Sequence, residues 1–214
     1  MKTSFSVRCC TSLLAISVLL SGCGADAPAN PATFSGPFAG FVKDIELFDI
    51  SNPLAVVETD QGTFAIELYE RQVPDAVRHF GARVAENRYT DSAVYNVVGS
   101  FAAYMGDKSG LGKDDTLIAP LALQTHPDLY HDAAGVVGFV RETGTTCVSL
   151  VEQEQCLKNA LNSSRSLFYI TLAPQPSLDN SYVAFGKVIK GLEIVRNLKK
   201  GNKIQAVTIV RKGV

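Results

Sequence analysis

Apolar and polar positions alternate strictly over residues 63–69, with Phe64, Ile66 and Leu68 on one face. A second run, Ala55-Val-Val-Glu-Thr-Asp60, precedes it across Gln61-Gly62. Together they predict a β-hairpin with one buried side. The period then changes. Over 73–87, Val77, Phe80 and Val84 fall on one face at helical spacing, and Pro74 suits a first helical turn. Strand-like runs follow at 93–98, 101–105, 135–141, 167–172, 182–189 and 203–211, and a short helix fits 192–198. Many short strands with few helices favour a closed β structure, because closure leaves no strand edge exposed.

The N-terminus has a different pattern. Lys2 and Arg8 precede an apolar run from Thr11 to Leu20. That run is far shorter than the ~20 residues a membrane-spanning helix needs. It ends in Leu20-Ser21-Gly22-Cys23, which resembles the bacterial lipobox. Residues 1–22 therefore read as a lipoprotein signal peptide, with Cys23 lipidated; the alternative is an ordinary signal peptide that ends near a cysteine. The segment 23–40 is rich in Ala, Pro, Gly and Ser and has little to bury, which predicts a flexible linker. An apolar N-terminal extension of ambiguous period spans 41–54, and the globular domain takes 55–214.

Apolar residues make up 46% of the 214, enough for a sizeable core, and the net charge of −1 gives no basic stripe for nucleic acid. Of five cysteines, Cys9 and Cys10 leave with the signal and Cys23 is the anchor. Cys147 and Cys156 remain in an exported, oxidising setting, where a disulfide would stabilise by roughly 2–3 kcal/mol. Two free thiols or half a metal site are the alternatives, but no Cys-x-x-Cys or paired His lies nearby, so no metal is expected. Gly110-Leu-Gly112-Lys113-Asp114 departs from the phosphate-loop pattern at both ends, with Asp107 in the first glycine position and Asp114 where Ser or Thr belongs. His79, His126 and His131 are scattered and read as surface or structural.

The most specific stretch runs from Phe168 to Gly191: Phe168-Tyr-Ile-Thr-Leu172, then Leu178-Asp179, then Phe185-Gly-Lys-Val188 and Gly191. It resembles the cyclophilin signature. Two weaker blocks agree: Glu58-Thr59, Gly62 and Ile66-Glu67-Leu68; and Phe101 with Gly106-Asp107, Gly110 and Gly112. The resemblance covers about Ala55 to Arg211. It implies a mainly β fold, a closed eight-stranded antiparallel barrel capped by two α-helices, here with a 141–167 insertion that carries Cys147 and Cys156 and includes a possible helix over 148–161. It also implies peptidyl-prolyl cis–trans isomerisation, with proline-containing polypeptides as partners and no cofactor.

Carried over residue by residue, Asn96 falls where the family has its catalytic arginine, Phe101 keeps a pocket phenylalanine, and Tyr104 replaces a substrate-binding glutamine. Val140 and Arg141 fall where the family's backbone holds substrate. Leu167 replaces a glutamine, Ala102 a methionine and Ser177 an aromatic residue. Tyr169 replaces the second pocket phenylalanine, Leu178 is kept, and Tyr182 replaces a histidine. The expectation is an isomerase with a preserved apolar floor and turnover weakened at Asn96. It is expected to be monomeric, lipid-anchored at Cys23 in the bacterial cell envelope and periplasm-facing. Gly24, rather than Asp, after Cys23 favours the outer membrane. Two alternatives stand beside it: a proline-peptide-binding module without turnover, and a scaffold lipoprotein.

Overall fold

A computed structural model describes residues 34, 36–113, 116–142 and 153–211. The expected hairpin is β1 (Leu54–Thr59) and β2 (Gly62–Leu68), followed by helix α1 (Pro74–Ala85). Then come β3 (Ser92–Val98), β4 (Ala102–Asp107), β5 (Val136–Phe139), helix α2 (Gln153–Leu161), β6 (Phe168–Thr171) and β7 (Ala184–Lys190). Helix α3 (Leu192–Asn197) and β8 (Lys203–Val210) are the last elements among the described residues, and a 3-10 turn, Pro176–Leu178, lies between β6 and β7. All eight strands close into an antiparallel barrel in the order β1-β2-β7-β5-β6-β4-β3-β8.

The alternation in β2 sends Phe64, Ile66 and Leu68 into the core, where Val73, Ala76, Val77 and Phe80 of α1 and its approach meet them. Strand β1 does not alternate, because it is covered on both faces. Ala55 and Val57 join that core. Leu54 and Val56 join a second one with Ala65, Val210, Phe34 and Val42. The linker expected over 23–40 is thus already packed at Phe34, which is buried, and Phe38 lies partly buried beside it. Outward-facing apolar side chains on β1 give those phenylalanines something to bury against. The extension is also fixed by Glu67, almost wholly inside, whose carboxylate accepts from the amides of Phe48 (2.9 Å) and Asp49 (3.0 Å) and from Asn52 Nδ2 (2.8 Å). A buried carboxylate needs such donors to offset its lost hydration.

The loop at 107–113 shows why the phosphate-loop pattern is a decoy. Asp107 Oδ2 accepts from the amides of Leu111 (2.8 Å), Gly112 (2.7 Å) and Lys113 (3.1 Å), and Ser109 donates to Oδ1. The carboxylate fills the anion-binding concavity that a phosphate would need. Burial pushes the Asp107 pKa up, but these hydrogen bonds outweigh it and leave the pKa lowered.

Candidate functional site

Three boundaries differ from the sequence pattern, and each difference supplies a groove residue. Phe101 was expected to open a strand. Its amide instead donates to Val98 O (2.7 Å), so it sits in the turn from β3 to β4. Arg141 was expected to end a strand, but β5 stops at Phe139 and only Val140 N reaches back, to Leu167 O (2.9 Å). Tyr182 was expected to start β7. Its amide bonds Leu178 O (3.1 Å), which ties it to the 3-10 turn. Freed from the ladder, these side chains converge on the outer face of the β4–β6 wall, where Ala102, Tyr104 and Tyr169 alternate with the core residues Ala103, Met105, Phe168 and Ile170.

There, Phe101, Tyr104, Val140, Arg141, Tyr169, Leu178 and Tyr182 line a cavity of about 160 Å³. Drug-sized ligand sites run to roughly 300–1,000 Å³, so this one takes a single side chain. Its floor is apolar: buried Ala102, Tyr169 and Leu178, with Phe101, Tyr104, Val140 and Tyr182 packed against them. The Tyr169 ring stands 6.1 Å from Tyr104 and 6.0 Å, edge-on, from Tyr182. The guanidinium carbon of Arg141 lies 4.5 Å over the Tyr182 ring.

Two residues expected at the site are elsewhere. Leu167 is buried behind the wall and serves through its carbonyl. Asn96 is exposed on β3, opposite Tyr104 across the β3–β4 pair, and does not line the cavity. Cross-strand partners share a face, so Asn96 stands at the rim, beyond the Tyr104 ring. Cys156 is on α2, whereas Cys23 and Cys147 lie outside the described residues.

Beneath the floor is a polar network that the sequence pattern missed. The Tyr169 hydroxyl and His131 Nε2 are 2.8 Å apart, and His131 Nδ1 is 2.8 Å from Asp179 Oδ1. The same carboxylate oxygen accepts the His131 amide at 2.8 Å. Burial pushes the His131 pKa down, against the opposing pull of Asp179. A neutral imidazole fits the geometry: Nδ1–H donates to the carboxylate and Nε2 accepts from the hydroxyl. Burial raises the Tyr169 pKa well above its usual value, reinforced by Tyr182, Tyr104 and Asp179 and opposed by Arg141. The hydroxyl occupies space left by Gly138, its cross-strand partner, where a Cβ would overlap the Tyr169 Oη and Cζ. One signal pointed here: a tyrosine at a buried floor position must find a hydrogen-bond partner.

The chain matches the sequence family described as "Cyclophilin type peptidyl-prolyl cis-trans isomerase/CLD" over residues 54–214. It is 32% identical over 145 residues to a peptidyl-prolyl cis-trans isomerase-like 1 protein of Neurospora crassa, covering 66% of this chain and 78% of that one. The crystal structure of a cyclophilin type peptidyl-prolyl cis-trans isomerase of Cryptosporidium parvum has the same fold, with a TM-score of 0.61 at 23% identity, covering 74% of this chain and 97% of the other. The same Cryptosporidium parvum protein, solved in the presence of the dipeptide Ala-Pro, aligns with a TM-score of 0.56 at 25% identity, covering 74% and 95%. The chain belongs to the cyclophilin-type peptidyl-prolyl cis–trans isomerase family.

Proposed function

We propose that this protein turns over X–Pro bonds of envelope proteins at a reduced rate, because Asn96 stands where the family uses a charged donor. The observation that carries the reading is the cavity itself: an apolar floor sized for one side chain, on the outer wall of a barrel of this family. The structure of the related protein with Ala-Pro supports a proline-containing ligand.

Peptide-bond rotation has a barrier of ~18–20 kcal/mol, and uncatalysed X–Pro isomerisation takes tens to hundreds of seconds. No covalent bond forms or breaks. The floor holds the pyrrolidine ring still while the acyl side turns. In the twisted transition state, conjugation is lost and the lone pair localises on nitrogen. A donor aimed there stabilises the twisted state more than the planar one. A hydrogen bond to a charged group is worth ~1.5–3 kcal/mol, so losing it in the transition state costs roughly 10- to 150-fold. Asn96 offers only a short neutral amide at the rim.

That placement also favours a second reading, in which the groove binds proline segments without turning them over. Exchange NMR on the cis and trans resonances of an Ala-Pro peptide separates the two, using protein that begins at residue 24. Exchange above the spontaneous rate supports the isomerase. Binding without exchange supports the module, and neither leaves a scaffold.

The envelope setting rests on Leu20-Ser21-Gly22-Cys23 and Gly24. In this reading Cys23 carries lipid and the barrel faces the periplasm from the outer membrane as a monomer. A Cys147–Cys156 disulfide suits that compartment, and the engagement of Cys156 in a disulfide supports it. Cys23→Ser should move the protein from the membrane to the soluble fraction; soluble wild type without lipid mass would contradict the anchor.

A further inference from the structure

Among the side chains lining the groove cavity, Arg141 alone carries a full charge. Tyr104 and Tyr169 also line it, and burial raises both their pKa values, so they remain neutral hydroxyls. Arg141 forms no ion pair with any described residue. Its Nε–H is buried and has no hydrogen-bond partner among the described residues. An oxygen acceptor normally satisfies a desolvated donor of this kind. Here the guanidinium is held by the Tyr182 face, 4.5 Å away, a contact that fixes the group and gives the Nε–H no acceptor. Backbone geometry adds to the fixation: Val140 N is bonded to Leu167 O at 2.9 Å, which anchors the chain just where Arg141 turns toward the cavity.

A desolvated, unpaired, immobilised cationic donor at the wall of an apolar cavity is suited to a ligand that supplies an acceptor only at one stage of its reaction. A rotating X–Pro bond is such a ligand. Its nitrogen is a poor acceptor while planar, because the lone pair is delocalised into the carbonyl. It becomes an acceptor as the bond twists. We propose that Arg141 is the catalytic donor of this groove, hydrogen-bonding the prolyl nitrogen in the twisted state. The residual turnover then runs through Arg141 on the β5 side rather than through Asn96 on β3. This rests on the isomerase reading above. No atom or electron is transferred; the donor returns to its unpaired state when the amide is planar again.

A positioned cation differs from a packing residue in how it divides binding and rate. Exchange NMR at saturating Ala-Pro peptide gives the rate, and a peptide titration gives Kd, on the protein from residue 24. Arg141→Met keeps the length and apolar contact of the stem and removes the charge. The saturated rate should fall ~10- to 150-fold while Kd changes less than about 3-fold. Arg141→Lys keeps a charge without the planar fork, and should fall between wild type and Arg141→Met; it also guards against a Met variant that fails to fold. An unchanged rate in either folded variant overturns the assignment, as does a loss confined to Kd. Wild type that binds peptide without accelerating exchange overturns the isomerase reading and Arg141 with it, an outcome distinct from fast exchange that survives Arg141→Met.

Discussion

The floor and the rim of the groove treat their polar groups in opposite ways. At the floor, Tyr169, His131 and Asp179 are joined by hydrogen bonds, all at 2.8 Å, with the tyrosine and imidazole almost wholly buried. At the rim, Arg141 keeps a buried Nε–H without a partner among the described residues and Asn96 faces solvent. A satisfied buried network rigidifies what it holds, whereas an unsatisfied donor is available to a ligand. On the proposed reading, binding belongs to the floor and rate to the rim.

The comparison breaks most severely if the floor loses its shape. Gly138→Ala places a methyl against the Tyr169 hydroxyl, and the ring cannot retreat because His131 stands behind it. Overpacking of this kind costs about 1–3 kcal/mol. Denaturant unfolding should show that loss, and a peptide titration should show binding abolished. Phe101→Ala leaves the fold intact, since Phe101 lies in a turn and is only partly buried. Removing a buried phenylalanine face is worth about 1.5–3 kcal/mol, so Kd should rise ~10- to 150-fold.

A subtler change sharpens the floor's role. Tyr169→Phe keeps the ring but leaves His131 Nε2 without its donor, which costs about 1–3 kcal/mol of stability. Peptide affinity should change by less than about 3-fold, because the hydroxyl points away from the ligand toward His131.

The smallest effect is in the pH dependence. Burial holds the folded His131 pKa below its ordinary value near 6.5 despite Asp179. Between those two values the unfolded chain binds a proton that the folded one refuses. The contribution is therefore complete above about pH 6.5 and is lost as pH falls from there toward the folded value. Urea midpoints should decline from pH 7 to 5.5, and His131→Gln should remove most of that slope. The further loss expected at lower pH, from Asp107 and Glu70, whose pKa values are lowered, should persist.

The barrel was legible because its strands obey simple rules: strict alternation in β2, helical spacing in α1, and short apolar runs between turn residues. All seven residues that line the cavity were legible as well, through resemblance: Phe101, Tyr104, Val140, Arg141, Tyr169, Leu178 and Tyr182. Local pattern could not show that Phe101, Arg141 and Tyr182 leave the ladder, since Phe101 and Tyr182 are aromatic residues at strand ends and Arg141 directly follows an apolar run. Asn96 aligned with a catalytic position yet is exposed and lies outside the cavity lining, which the alignment alone does not reveal. His131 and Asp179 are 48 positions apart, and only tertiary packing joins them. The packing of Phe34 was hidden in a linker-like composition, and its reason lies in the outward face of β1.

The most direct test measures Kd and the saturated cis–trans exchange rate together, on wild type and Asn96→Arg. If the floor binds and the rim limits turnover, a charge restored on β3 should raise the rate by ~10-fold or more, with Kd held within about 3-fold. An unchanged rate in a folded Asn96→Arg protein that still binds peptide would contradict the account, as would a gain matched entirely by tighter binding.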